Sequence, residues 1–444
     1  MTNIRLTYDP FKLVSIAPLI VFRIIFGVLM LFSLIRFWAN GWIEEFYLEP
    51  VFHFTFYGFD WVTVPSPTVL YLLFGALIVS ALFIIVGLYH RTSAIFFFLA
   101  FTYVELMDKT YYLNHYYFIS LVSFLLIWLP ASASFSLDTF WRKTSKLSFV
   151  PAWNIDILKF QVGIVYFFAG VAKINSDWLL DAQPMTIWLE AFNWWPVIGG
   201  VMAHDLTAYV FSWAGMLFDI SIVFFLLNAN TRIFAWVAVW IFHILTGMMF
   251  PIGVFPVVMI SLTLIFFSND FHQSLLKKVG VSLQSAKETI SVKFERGVIL
   301  KAMLGSYLIF QLIFPFRYLI YPGSLFWTEQ GYRFGWRVML MEKAGMATFF
   351  YKDNNGMPIA IDNKTYLTPL QERMMATQPD MILQFAHFLN NEIQRQTGYD
   401  VTVHVDAYVS LQGQRSRPFI DSSVDLSAYK RGFEHKNWIL PYEN

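Results

Sequence analysis

The sequence predicts an all-α polytopic membrane domain of about nine transmembrane helices, followed by a small α+β domain on its outer side. Three observations carry this expectation. The 444 residues are 57% hydrophobic and only 14% charged, against about 25% charged in soluble domains, and mean hydropathy is +0.53. Apolar runs that approach the roughly 20 residues needed to cross a bilayer recur from Ala17 onward. After Phe316 they stop, and polar alternation, turn signals and charge replace them. The chain divides accordingly into residues 1–320, transmembrane, and residues 321–444, water-exposed.

In chain order the spans fall near 17–38, 67–88, 93–107, 113–130, 155–174, 207–227, 232–250, 253–268 and 298–317, the third and eighth being short. The first shows no small-residue cleavage site and reads as a span rather than a cleaved leader. One set of loops holds Arg91, Arg142, Lys143, Lys146, Arg232, Lys277, Lys278, Lys287, Lys293 and Arg296, with Arg5 and Lys12 before the first span. The opposite set holds Glu44, Glu45, Asp60, Glu105, Asp108, Asp177, Asp181, Glu190 and Asp205; Lys109, Lys173 and the helix-end Arg36 are its only cations. Basic loops stay inside. The N-terminus is therefore expected inside and residues 321–444 on the exoplasmic side of a plasma membrane, or of the inner membrane if the source is bacterial. In that outer part, Phe334 to Tyr351 is strand-like, and Asn354-Asn355-Gly356 signals a hairpin turn. Thr368 to Arg395 reads as a helix, and Asp400 to Leu411 as a half-buried strand.

Composition narrows the function. A net charge of +1 argues against a nucleic-acid partner. Without cysteine there are no disulfides, no thiolate catalysis and no cysteine-ligated metal. No HExxH or His cluster and no Walker loop is present, so neither metal nor ATP is expected. Aromatic residues make up 19% of the chain. Part of that is interfacial belt, and the rest suits a flat apolar ligand.

Four places concentrate chemistry. Asp108-Lys109-Thr110-Tyr111-Tyr112-Leu113-Asn114-His115-Tyr116-Tyr117 sets an acid, a base, an amide, an imidazole and four tyrosines at the edge of an apolar run. Asn114 and His115 can hydrogen-bond a ring oxygen, or simply anchor a helix end. Tyr111, His115 and Phe118 share a face that could flank a flat ring. Second, Lys173 ends a span in which Gly163, Tyr166 and Gly170 lie on its own face. The glycines leave room for something flat, and the lysine serves either as a base, which requires its neutral amine, or as a snorkelling cation. Third, His243, followed by Phe250-Pro251-Ile252-Gly253, marks a broken connection lining a cavity or a satisfied structural group. Fourth, Trp336, Arg337 and Lys343 in the outer domain either meet substrate carboxylates or are solvated strand residues. Asp219 and Arg23, within spans, read as structural partners of neighbouring helices.

These segments, together with Trp327-Thr328-Glu329-Gln330-Gly331-Tyr332-Arg333-Phe334-Gly335-Trp336-Arg337, Phe419-Ile420-Asp421 and Trp438-Ile439-Leu440-Pro441, resemble the vitamin K-dependent γ-carboxylase family and its HTTM membrane domain, over nearly the whole chain. The resemblance implies a membrane enzyme using vitamin K hydroquinone or menaquinol with O2 and CO2, and no metal, biotin or ATP. Lys173 would deprotonate the hydroquinone, and the base formed on its oxidation to the epoxide would remove a glutamate γ-proton before CO2 adds. Asn114 and His115 would serve the reacting oxygens, with Tyr111, Tyr166, Gly170 and His243 around the quinone. The implied partners are membrane lipid, a glutamate-containing protein or peptide, and a quinone reductase that regenerates the reduced vitamin. Two alternatives stand beside this: a quinone-epoxidising oxidoreductase that never carboxylates, and a transporter or lipid-binding membrane protein. A transporter would be expected to show inverted repeats, and none is visible.

Overall fold

The structure is a computed structural model and describes residues 9–144, 146–281, 283, 298–352 and 356–442. Its first part is a helical bundle: α1 (Ala17–Ala39), α2 (Pro67–Val86), α3 (His90–Met107), α4 (Asn114–Trp128), α5 (Trp153–Ala172), α6 (Asp205–Leu227), α7 (Arg232–Met249), α8 (Phe255–Leu262, continued by a 3-10 turn to Phe266), α9 (Asn269–Lys278) and α10 (Val298–Ile313). Local sequence sets several ends. Pro18 and Pro67 open α1 and α2, where a missing N–H costs nothing. Gly87 closes α2 at φ +66, and a Cβ there would strike the Arg23 guanidinium. The Asp138 carboxylate accepts from the Tyr89 and His90 N–H groups at the start of α3, the favourable place for an anion.

Among the described residues six helices are long and apolar enough to cross a membrane: α1, α2, α5, α6, α7 and Leu300–Ile320. The expected spans 93–107, 113–130 and 253–268 are helical but differ in form. The helix containing the first starts at His90 and is flanked by α2 and α4. The second has 15 residues, about 22 Å, short of the roughly 30 Å hydrocarbon core. The third breaks after Phe266, and α9 leaves at 113°. Neighbouring helices cover much of these segments, which relaxes the length that lipid contact would demand.

Two groups of contacts define the ends of the bundle. At one end β1 (Leu13–Ser15) pairs antiparallel with β2 (Phe149–Pro151), Gln273 donates to Ser15 Oγ at 3.1 Å, and the Lys301 ammonium lies over Phe11. At the other end sits the C-terminal domain. Its sheet has the order β4-β3-β5-β6, all antiparallel: β3 (Lys343–Lys352), β4 (Pro358–Ala360), β5 (Val403–Leu411) and β6 (Arg417–Pro418). Val403, Val405, Ala407, Val409 and Leu411 are buried on one face of β5, as the alternation predicts. They belong to a core that includes Phe385 and Leu389 of α12 (Pro379–Thr397), which follows α11 (Pro369–Met375). The single helix expected over 368–395 is thus two, because Pro379 cannot continue a helix and opens the second. The strand expected from Phe334 begins only at Lys343. Before it, Phe334, Trp336 and Met339 take positive φ of 58, 58 and 52. Asn354 and Asn355 of the expected turn lie outside the described residues; β3 and β4 still pair as a hairpin around it.

Candidate active site

Lys173 follows the last residue of α5 and is buried. Its Nζ donates to Asp219 Oδ2 at 2.7 Å and to the Ala169 carbonyl at 3.2 Å, and lies 5.3 Å from the Trp178 ring centroid. Glycine makes this pairing possible. A Cβ on Gly170 would come within 2.5 Å of Ile220 Cγ1 and 2.7 Å of Ile220 N, and one on Gly163 within 3.2 Å of Val223. The room these glycines leave is therefore taken by α6, not by a flat ligand, and close approach of the two helices brings Asp219 to Lys173. From sequence alone Asp219 is expected to be a structural partner of a neighbouring helix. Its available signal was a carboxylate inside an apolar span. Arg23 lies elsewhere, with Nη2 donating to the Phe135 carbonyl.

The Lys173–Asp219 pair borders a cavity of about 430 Å³ whose other walls are almost entirely apolar, among them Phe211, Phe218, Met249 and Phe255. Tyr166 and His243 also line it, hydrogen-bonded to each other at 2.8 Å.

A second cavity, of about 390 Å³, is the more polar of the two and has charged side chains in its wall. Asn114, His115, Arg337 and Lys343 line it, with Lys109, Arg333, Glu329 and Glu342. The Lys109 and Arg333 side chains share Asp380 Oδ2, at 2.7 and 2.8 Å. Burial pushes the Lys109 ammonium down to about 8, which Asp380 only partly offsets. Burial alone would raise the Asp380 carboxyl, but Arg333 and Lys109 outweigh it and hold it well below the usual carboxylate range. Lys343 is committed to Glu329 Oε1 at 2.9 Å and to the Trp327 carbonyl. Arg337 differs: its guanidinium lies over Tyr318, with which it also hydrogen-bonds, and donates to the carbonyls of Pro315 and Gly335, and no carboxylate among the described residues pairs with it. Four cationic side chains thus face two carboxylates, and with Asp380 behind them one positive charge remains in excess.

The two cavities share the wall Ile252, Phe255, Val338 and Met339. His115 stacks on one side of it, its ring centroid 5.5 Å from that of Phe255, and His243 meets the same Phe255 edge-on at 5.7 Å. The 108–117 stretch therefore does not stand directly beside Lys173. Much of it fastens the C-terminal domain. Asp108 accepts from Gln371, Lys109 pairs with Asp380, Tyr112 accepts from the Phe334 N–H, and Asn114 Nδ2 donates to the Arg337 carbonyl at 2.8 Å. Tyr111 lines neither cavity; its ring stacks on Phe46 at 4.3 Å. Trp336, also in neither lining, is fully buried against Tyr117. Trp188, which lines the apolar cavity, donates to Glu342 of the polar one at 2.7 Å. Among the described residues no group of three or more His, Asp or Glu is placed to hold a metal ion.

Comparison with known proteins agrees with this architecture. Residues 11–271 match the model of the HTTM domain, and residues 296–444 match that of the vitamin K-dependent gamma-carboxylase lumenal domain. No solved structure matches the chain. With one domain covering most of the bundle and the other the C-terminal domain, in that order, the chain is an integral membrane protein and belongs to the vitamin K-dependent gamma-carboxylase family.

Proposed function

We propose that the protein is a vitamin K-dependent γ-glutamyl carboxylase in which the apolar cavity takes the quinol and the polar cavity takes the glutamyl side chain. The observation that carries this reading is the buried Lys173–Asp219 pair at the edge of an apolar cavity that shares one wall with a positively charged one. A two-ring quinol fits the first in volume and polarity. Reduced vitamin K or menaquinol, when bound, supplies with O2 the strong base that a glutamate γ-proton requires. The chain's own residues do the rest. Lys173, when it stands as the neutral amine beside the Asp219 carboxylate, accepts the quinol hydroxyl proton; its ammonium then pairs with Asp219 and the negative charge passes to the quinolate oxygen, so the amine never carries an unpaired charge in a dry site. Apolar walls exclude the water that would quench a strong base. Arg337, which has no carboxylate of its own, holds the carboxylate of the substrate, while the Lys343–Glu329 pair shapes the cavity beside it. His115 stands on the shared wall, placed to donate where charge develops, and Asn114 fixes the Arg337 backbone.

Both cavities lie at the end of the bundle that carries the C-terminal domain, and the asymmetry of the loop charges supports an exoplasmic position for that end. Cysteines introduced at Asn230 and Gln414 should therefore label differently with an impermeant reagent in sealed cells; equal labelling would reverse this reading. A quinone reductase must return the oxidised vitamin to use. The shared wall of Ile252, Phe255, Val338 and Met339 offers only apolar side chains to pass chemistry between the cavities, which favours a second reading, quinone epoxidation without carboxylation. Membranes given the reduced vitamin, labelled CO2 and a glutamate-containing peptide separate the two: label in the peptide supports the carboxylase, epoxide alone supports the oxidase, and neither sinks both.

A further inference from the structure

The apolar cavity is not closed on the side of α6 and α7. Val210, Ile241 and Leu245 line it and are also 56%, 56% and 42% exposed. They lie on membrane-spanning helices, so the medium they face is lipid. Ala214 and Gly215 keep the gap between the helices wide. Ala214 is exposed, and a Cβ on Gly215 would find only Trp178 Cζ2, at 4.0 Å. One turn deeper the gap ends, because Phe218 of α6 stacks on Phe242 of α7 with centroids 4.1 Å apart. The result is an apolar slot that runs from the Lys173 cavity to the lipid-facing surface and is shut on its inner side.

We propose that this slot is the side entrance of the quinol site, and that the isoprenoid tail of the bound quinol stays in it, against lipid. The proposal rests on the reading that the quinol ring lies beside Lys173. A cavity of about 430 Å³ is near the lower end of the roughly 300–1,000 Å³ usual for ligand pockets; it holds a two-ring head and the first tail carbons. The rest of a long tail must leave. Across the Phe255 wall lie charged side chains, a poor surrounding for hydrocarbon. Only the slot is apolar throughout. Lipid chains are as apolar as the slot residues, so shifting tail carbons between them changes the free energy little. The site therefore selects the naphthoquinol head and accepts any tail length. A closed tunnel would instead impose a cut-off.

The test uses the full-length protein in nanodiscs. An oxidised menaquinone bearing a photoactivatable diazirine on an early tail unit should label the slot, at Ala214, Ile241 or Leu245. The same group on tail-less menadione should label residues around Tyr166 and Lys173. Labelling of the tail probe in the polar cavity, or at no preferred place, overturns the slot. This readout needs no turnover, so an inactive protein with an intact slot and an active one without it give different results. Kinetics supply the second arm. Ala214→Trp and Ile241→Trp, both at lipid-facing positions that tolerate a large ring, should raise the KM ratio of long-tailed menaquinol to menadiol by about tenfold, as overpacking of a contact site does. Leu227→Trp, at the far end of α6, controls for a tryptophan in lipid. An unchanged ratio in both slot variants, or a wild-type KM that climbs steeply with tail length when expressed per lipid, overturns the proposal.

Discussion

The two cavities differ in almost everything except the wall between them. The one beside Lys173 is built by membrane helices, is almost wholly apolar, and holds a single ion pair. The one beside Arg337 is built where bundle and C-terminal domain meet, and charge of both signs crowds it. A base that must be neutral and a substrate that must be charged have opposite solvent requirements. Low dielectric penalises every unpaired charge, while a carboxylate substrate needs an available cation. On the proposed reading separate rooms satisfy both needs, and Phe255 with His115 stacked on it is where the two cavities meet.

Removing Lys173 tests the apolar room most severely. Lys173→Ala should lower epoxide formation by about 10²–10⁴, the usual contribution of a positioned general base, with folded protein still in the membrane. Near-normal turnover would leave the apolar cavity without its chemistry. His115→Ala tests the wall. It should cost about 10²–10³ in turnover at saturating quinol if the imidazole donates to developing charge; full activity would make His115 a packing residue on Phe255.

Arg337→Gln should break the comparison on the polar side alone. We expect the KM for a glutamyl peptide to rise about 10–100-fold, as losing a charge-assisted hydrogen bond of about 1.5–3 kcal/mol implies, while epoxidation measured without peptide changes little. Equal loss of both activities would mean that the two cavities are not separate sites. The smallest effect is on stability. Lys109, held down to about 8 by burial, binds fewer protons when folded than its unfolded reference of about 10.4 requires. Between those values the folded state should therefore gain stability as pH rises. Thermal unfolding of the wild type should gain on Lys109→Met between about pH 8 and 10; parallel curves would show that the ammonium is not buried at this contact.

Hydropathy alone determined that this is a polytopic membrane protein with a polar domain after Phe316, because span length is set by bilayer thickness rather than by any partner. The alternation Val401, Val403, Val405 located a strand for the same local reason. Lys173 and His243 were visible as polar groups out of place in apolar spans, and Arg337 as a cation able to meet a carboxylate. Their partners were not. Asp219 lies 46 positions from Lys173 and meets it only because Gly170 lets two helices touch. Sequence spacing also put Tyr111 on the same helical face as His115, yet the chain turns at Tyr112-Leu113 before α4 begins, and Tyr111 stacks outward on Phe46. Trp336 and Arg337 looked like strand residues because their composition fits one. Contacts with Tyr112, Asn114 and Tyr117 hold that segment in an irregular path that local propensity does not encode. Which residues face which cavity depends on long-range packing and on how two domains dock, and neither has a period that a sequence can display.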